Sequence, residues 1–449
     1  MRRFLLFSLS IAWALVAPVV RAQVPDGPCL ARARVATDSL AKLHVASTVL
    51  TQYQVRALRA LDSLHLVRCV TSGPVPPPDT VPTPPDTTPA PPDTTPTPPV
   101  PGRPLWAHAV DRVLGPIPNC AQLATTTGPM REWYDAWAKW EPVRWKADSS
   151  RWDAANYYDR AAIYYAMAVC ELRHDSTLSA RYLARGHALA VDYRDKYLLP
   201  NDGGASYHWS QLEGVALHAL ITGDASSRRL VGRTAEVLAT GGYYTRKTFG
   251  DTTHVDMENR IAQRAILAVV LAHELQAPGK SFPATRWPGV LDTLVTLTLR
   301  AQRSDGAWAY RCKAGVCGLE FPYMDALLLD ALIRAETLVR HDARTLPVVR
   351  ATIDHHLAVA VRADSTWKYN VRPSTLGGAG GAVDLNGLQP ALYAWLSAQT
   401  GDTTYLARVA PLFAKGVRGT YYAGQKQFNQ QFYSSYRYVA QRQAATVTP

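Results

Sequence analysis

The segment Ala265–Ala272, AILAVVLA, is apolar on every side. A helix without a polar face must be buried all round, so other helices have to surround this one. The residues just ahead of it are the opposite in character. In Thr253–Gln276, THVDMENRIAQRAILAVVLAHELQ, the apolar run follows His254, Asp256, Glu258, Asn259 and Arg260. A polar opening that leads into a buried rod is a specific design, and it recurs along the chain.

Six segments share the pattern: 156–172, 208–222, 257–276, 322–338, 386–398 and 428–441. Between them lie amphipathic segments with charged positions, at 130–146, 179–197, 226–239, 287–303, 345–362 and 403–417. The order is outer then inner, six times, which is a repeat in period though not in residue identity. No run of β-strands is expected; 242–249 and 308–312 are at most short hairpins in loops. An open helical array would need solvent-facing caps at both ends. Buried helices enclosed by amphipathic ones suit a closed ring better. The expected fold is all-α, a toroid of six helical hairpins spanning 105–449.

Three further segments precede the ring. Residues 1–22 read as a secretory signal peptide: Arg2 and Arg3 are basic, Phe4 to Val20 form an apolar core, and Val20-Arg21-Ala22 places small residues at the cleavage positions. Residues 23–72 form a small helical segment, with Cys29 and Cys69 near its ends. Residues 73–104 are a Pro/Thr-rich linker containing PPDTTP units. Proline fixes φ and removes donors, so this tract is an extended spacer. The chain is therefore expected to be exported, with no stable membrane insertion once the leader is cleaved. Its formal charge is +12, and +9 without the three leader arginines, which favours acidic partners. No basic run tracks a phosphate backbone, so nucleic acid is not expected. Oligomeric state is not legible.

The alternation from Leu105 to the C-terminus resembles the (α/α)6 toroid of secreted glycoside hydrolases and polysaccharide lyases. That resemblance is architectural. It implies a cleft where the inner helices open, a poly- or oligosaccharide or cell-surface glycan as partner, and no cofactor or metal. The candidates are then the residues at those openings. Glycoside hydrolysis needs two carboxyl groups in different environments. Asp256, Glu258, Glu320 and Asp325 come from neighbouring inner helices, with Asp202, Glu213 and Asp384 as further options. Elimination needs a base and a group that neutralises the developing charge. Tyr207, His208, His254, Asn259, Arg260 and Tyr323 supply those types. Trp209, Trp308, Trp367 and Tyr310 could stack on sugars or simply anchor loops. Asp384 and Asn386 complete the substrate-binding candidates. Hydrolysis is the first expectation, elimination on uronate polymers the alternative, and a non-catalytic glycan-binding protein the third.

Some motifs are structural. Gln302–Trp308, QRSDGAW, resembles the Q-x-x-x-G-x-W repeat of terpene cyclases, where it ties helices to turns; one copy is evident, and no D-x-D-D signature accompanies it. The six cysteines, at 29, 69, 120, 170, 312 and 317, suggest bridges in an exported chain. Cys120–Cys170 would tie the entry segment to the first inner helix, and Cys312–Cys317 would close a short loop. His356 is expected to face solvent from an outer helix, and His273 to be a satisfied partner. The glycines at 377, 378, 380 and 381 suggest a mobile lid.

Overall fold

A computed structural model describes residues 103–148, 152, 158–241, 259–308, 320–371 and 380–447. All of them belong to one compact unit, Thr97–Pro449. The expected leader, small helical segment and most of the linker lie outside the described residues. So do His254, Asp256, Glu258, Tyr310, Cys29, Cys69, Cys312 and Cys317.

Two short elements enter the ring: α1 (Leu105–Leu114) and α2 (Cys120–Thr125). The outer helices are α3 (Pro129–Asp148), α5 (Ser176–Tyr193), α7 (Ala225–Thr240), α9 (Trp287–Leu299), α11 (Thr345–Val359) and α13 (Thr404–Gly419). The inner ones are α4 (Arg160–Glu171), α6 (Leu212–Thr222), α8 (Asn259–Glu274), α10 (Pro322–Leu338) and α12 (Pro390–Thr400), then the split pair α14 (Gln425–Phe432) and α15 (Ser435–Val447). Among the described residues there is no strand, only isolated bridges. Each inner helix packs on the next, α15 packs on α12, and α14 returns to α4. The ring of six hairpins is closed.

Burial explains the alternation. Every residue of α4 is buried, and α8 is buried from Ile261 through Ala272. Local chemistry sets the ends. Asp175 accepts from the Thr177 and Leu178 amides at 2.9 Å and starts α5. Gly223 and Gly401 take left-handed conformations (φ 74° and 71°) and stop α6 and α12. The Cys120–Cys170 disulfide forms and ties α2 to α4, as expected.

The QRSDGAW turn is a helix tie. The Gln302 side-chain amide donates to Val348 O and Thr352 Oγ1, and Trp308 Nε1 donates to the same hydroxyl, both hydroxyl contacts at 2.8 Å. Gly306 has φ 86°, and a Cβ there would sit 2.2 Å from the Ala351 carbonyl, so this position requires glycine. A second copy exists that the glycine pattern conceals. Arg362-Ala-Asp-Ser-Thr-Trp367 repeats Arg303-Ser-Asp-Gly-Ala-Trp308, with Ser365 at φ 59° in place of Gly306. Both turns close an antiparallel bridge, Gln302 with Trp308 and Val361 with Trp367. In both, the aspartate accepts from the amide two residues on. The expectation of one copy is corrected: the repeat is R-x-D-[GS]-x-W, and its invariant is the left-handed residue rather than glycine itself.

Candidate active site

Two groups of side chains gather where α8 and α10 begin, and a third lies deeper on the ring axis. The first is a buried acid–imidazole cluster. Glu320 is held just ahead of α10 by paired backbone hydrogen bonds with Val371. Its carboxylate meets His355 Nε2 at 2.8 Å and His356 Nε2 at 3.0 Å. His356 Nε2 also lies 3.1 Å from Asp325 Oδ2, and Asn259 donates its side-chain amide to Asp325 Oδ1. Asn259 and Asp325 are fully buried, Glu320 and His356 nearly so.

This corrects the expectation for His356. The buried residues of α11 are Thr345, Val349, Thr352, Ile353 and His356, one helical stripe facing the ring. His356 sits on that stripe, so it points inward. Burial alone would lower its pKa, but hydrogen bonds and charge from Asp325 and Glu320 outweigh burial and raise it to about 9. Burial pushes Asp325 up to about 7. Glu320 also feels burial, yet its two histidines hold it below the ordinary carboxylate value.

Donor atoms of Glu320, Asp325 and His356 lie within 4.8 Å of one another, a set whose residue types could hold a metal ion. The same atoms already satisfy each other through the His356 proton. The two carboxylates are also closer than the roughly 6.5–9.5 Å that an inverting hydrolase leaves for water. Being buried, they are not offered to a substrate. Their evident work is to hold Asn259, the first residue of α8, and with it the start of that helix.

The second group is less deeply placed at Arg260, His208 and Tyr369, while Tyr323 is buried. Arg260 follows Asn259 and is half-buried, and its Nη2 donates to His208 Nδ1 at 2.9 Å. That bond places the proton of neutral His208 on Nε2. The Tyr323 hydroxyl lies 3.4 Å from that of Tyr369, with ring centroids 5.4 Å apart, and Phe321 meets both rings edge-on. Arg260 and Tyr158 both act electrostatically on Tyr323, so these residues share one locality. Burial, then the bond to Tyr369, raises the Tyr323 pKa, and Tyr323 keeps its proton. Tyr369 is exposed, and Trp209 and Tyr207 are half-buried beside His208 in the chain. Burial raises the Tyr207 pKa as well. A Cβ on Gly241 would overlap the Tyr207 hydroxyl, so a side chain there would displace Tyr207.

Several expected ligand-binding residues do other work. Trp308 and Trp367 are 1% exposed and anchor the two repeated turns, so neither ring is offered to a sugar. Asn386 is buried; it donates to Ser365 O and Leu412 O at 2.8 Å and accepts from the Trp367 amide. Asp384 accepts from the Tyr421 amide. Asn386 is thereby a tie around the second turn rather than a substrate contact, because its side-chain amide is spent on backbone; Asp384 is half-buried and spends Oδ1 on the Tyr421 amide. Among the described residues, His273 Nδ1 is buried without a hydrogen-bond partner, so it is not satisfied in the way expected.

The third group was not anticipated as a unit. Glu213, at the start of α6, accepts from Arg334 Nη1 of α10 at 2.6 Å and from the Tyr433 hydroxyl at 2.5 Å. Arg334 and Asp330 pair along α10, and Asp330 takes Arg437 of α15 at 2.7 Å. This hub joins three alternate inner helices across the ring. Asp159 feels it: burial, then the charge of Glu213, pushes Asp159 up to about 7. The sequence signal was available, since two opposite charges four residues apart in an apolar helix must pair inside the protein.

No protein-family model matches the chain, and no curated protein matches it. Solved structures resemble it, among them two glycan-active proteins. One is a UGL variant with dGlcA-Glc-Rha-Glc, 11% identical over 76% of this chain and 97% of that one, with a TM-score of 0.45. The other is the unsaturated glucuronyl hydrolase responsible for the degradation of glycosaminoglycan from Bacillus sp. GL1, 12% identical over the same shares, with a TM-score of 0.43. Similarity of that degree does not bear on activity.

Proposed function

We propose that this chain is an exported carbohydrate-active enzyme that cleaves an acidic poly- or oligosaccharide where α8 and α10 open. The observation that supports this best is the Arg260–His208 pair beside Tyr323 and Tyr369. A guanidinium is suited to a carboxylate, binding it through two parallel N–H groups. Tyrosines flanking it offer flat apolar faces and hydroxyl donors to a sugar ring. A uronate is the sugar class that uses both features.

Within that reading, elimination is favoured by the described residues. The group that must be neutralised is the uronate carboxylate, which Arg260 would hold. Tyr323 retains its proton and suits a donor to the leaving oxygen. The base is expected from the stretch just ahead of Asn259, where His254 stands. Hydrolysis is the second reading, and what favours it is the acid content of that same stretch, Asp256 and Glu258. Glu320, Asp325 and Asn259 become positioning residues under either mechanism. Export rests on the leader 1–22 and the linker 73–104. No helix among the described residues is long and apolar enough to cross a membrane, and the Cys120–Cys170 bridge is compatible with an oxidising compartment.

The test is incubation of the purified chain with a panel of uronate-bearing and neutral polysaccharides. New reducing ends with a rise in ultraviolet absorbance from an unsaturated uronate mean elimination, and reducing ends alone mean hydrolysis. Arg260→Ala is expected to lower kcat/KM by about a hundredfold or more, the scale of losing one charge-stabilising group, with thermal stability nearly unchanged. Cleavage of neutral glycans only, or full activity in the variant, would remove the acidic-substrate reading. No products on any glycan would remove the enzyme reading.

A further inference from the structure

A cavity lies against the hub, and nothing in the glycan reading uses it. It measures 220 Å³ and lies between the end of α1 with Gly115-Pro116, the second half of α10, and the facing turns of α12 and α15. That is room for about seven waters at liquid density. Its walls are mostly aliphatic and include Leu114, Ile333, Leu338 and Leu392.

Its polar lining is unusual. Arg334 and Arg437 both line it, 4% and 8% exposed. Each guanidinium spends only part of its donor set: Arg334 Nη1 on Glu213, Arg437 Nη1 on Asp330. Nε and Nη2 of both arginines have no hydrogen-bond partner among the described residues; Arg334 Nε lies 3.3 Å from Asp330 Oδ2 without forming a hydrogen bond. The indole N–H of Trp395, also buried, lines the same cavity without a partner. The acceptors in the lining are Asp330 Oδ2 and Gln441 Oε1. Buried donors of this kind cost free energy unless something accepts from them.

We propose that this cavity is a binding site for a small organic carboxylate with an apolar body, of the size of benzoate or hexanoate. Guanidinium edges present paired N–H groups that match a carboxylate. The aliphatic walls suit the body of such an acid and would leave the outer oxygens of an inorganic oxyanion unsatisfied. The cavity is also larger than an inorganic anion requires. The charge around the hub agrees: Arg264, Arg334 and Arg437 face Glu213 and Asp330, and burial pushes Asp159 up to about 7, so much of its negative charge is removed near neutral pH. The rim carries a further cation, Arg112, which pairs with Glu274.

The test is isothermal titration of the full chain with benzoate and hexanoate, and with sulfate and chloride at matched ionic strength. Saturable one-to-one binding of the organic acids, with quenching of tryptophan fluorescence, is expected, and no saturation by sulfate or chloride. Arg437→Gln is expected to weaken benzoate about tenfold, the worth of one charge-assisted hydrogen bond. Leu392→Trp, which fills the cavity from an aliphatic wall and leaves the hub intact, is expected to abolish saturation. Sulfate binding as tightly as benzoate, no saturable binding of either acid, or undiminished binding in Leu392→Trp would each overturn the assignment. None of these outcomes depends on glycan cleavage.

Discussion

Replacing His356 by glutamine removes the cation between two buried carboxylates, and the consequence is a specific dependence of stability on pH. The wild-type imidazole is held at about 9 against an ordinary value of 6.5. Because the ring is buried, solvent does not screen this, and the difference corresponds to about 3 kcal/mol of folding stability. That contribution is whole below about pH 6.5, where the ring is protonated in both folded and unfolded chains, and it is lost as pH rises through about 9. Asp325 acts with the same sign, since burial keeps its proton on to about 7 in the folded chain while the unfolded chain releases it near 3.8. Glu320 acts oppositely, but its contribution is lost only as pH falls through the acid range. Urea unfolding of wild type and variant across the range therefore has a clear expected form. The difference in unfolding free energy should be about 3 kcal/mol near pH 6 and should shrink toward zero above about pH 9. A difference that stays constant with pH would mean that His356 contributes shape alone, and the electrostatic account of the cluster would fail.

Other perturbations follow from the same reasoning. Arg334→Met takes the cation away from buried Glu213, while Asp330 keeps Arg437, and should cost about 3–5 kcal/mol in urea unfolding; adding Glu213→Gln should restore part of it, and no recovery in the double variant would mean the hub is not a coupled unit. Serine at Cys120 and Cys170 opens a bridge spanning 50 residues of sequence, and chain entropy puts the loss at about 4 kcal/mol, measurable as a drop in melting temperature that reductant reproduces in wild type. Trp308→Phe keeps the ring but loses the bond to Thr352 Oγ1; it should lower stability by about 1 kcal/mol and leave any glycan kinetics unchanged, whereas a raised KM would return Trp308 to the substrate-binding residues.

The ring was legible because its signal is redundant. Most inner segments are apolar nearly all round after a polar start, and a sequence of that kind has one physical solution, enclosure by helices that carry the polar face. Helix boundaries moved by a few residues where an opening was extended rather than helical: α6 starts at Leu212 rather than His208, and Val383–Leu388 forms a 3-10 turn before α12. The sixth hairpin departs more. Its inner element breaks at Tyr433-Ser434, between α14 and α15, and the Tyr433 hydroxyl there reaches Glu213 on the axis. A period-based reading treats that segment as one rod because the break serves a contact 220 residues away.

Side-chain destinations were less legible, for a related reason. His356 was misread because an outer helix was treated as uniformly solvent-facing, although the stripe from Thr345 to Ile353 already fixed the inward side. Residue type alone does not distinguish one acid at these openings from another. The structure separates them by what each already holds: Glu320 and Asp325 are spent on His356 and Asn259, Asp384 on a backbone amide, Glu213 on Arg334 and Tyr433. Of the described openings, the one at Asn259-Arg260 puts two adjacent residues to two different uses. Asn259 turns inward to Asp325 and fixes the helix start, while Arg260 turns outward to His208. Successive residues on a helix point about 100° apart, so one buried anchor sets the direction of its neighbour. Under the proposed function that coupling extends the reach of the buried cluster: loosening Asp325 would release Asn259 and let Arg260 swing, and the expected cost falls on binding of an acidic glycan as well as on stability.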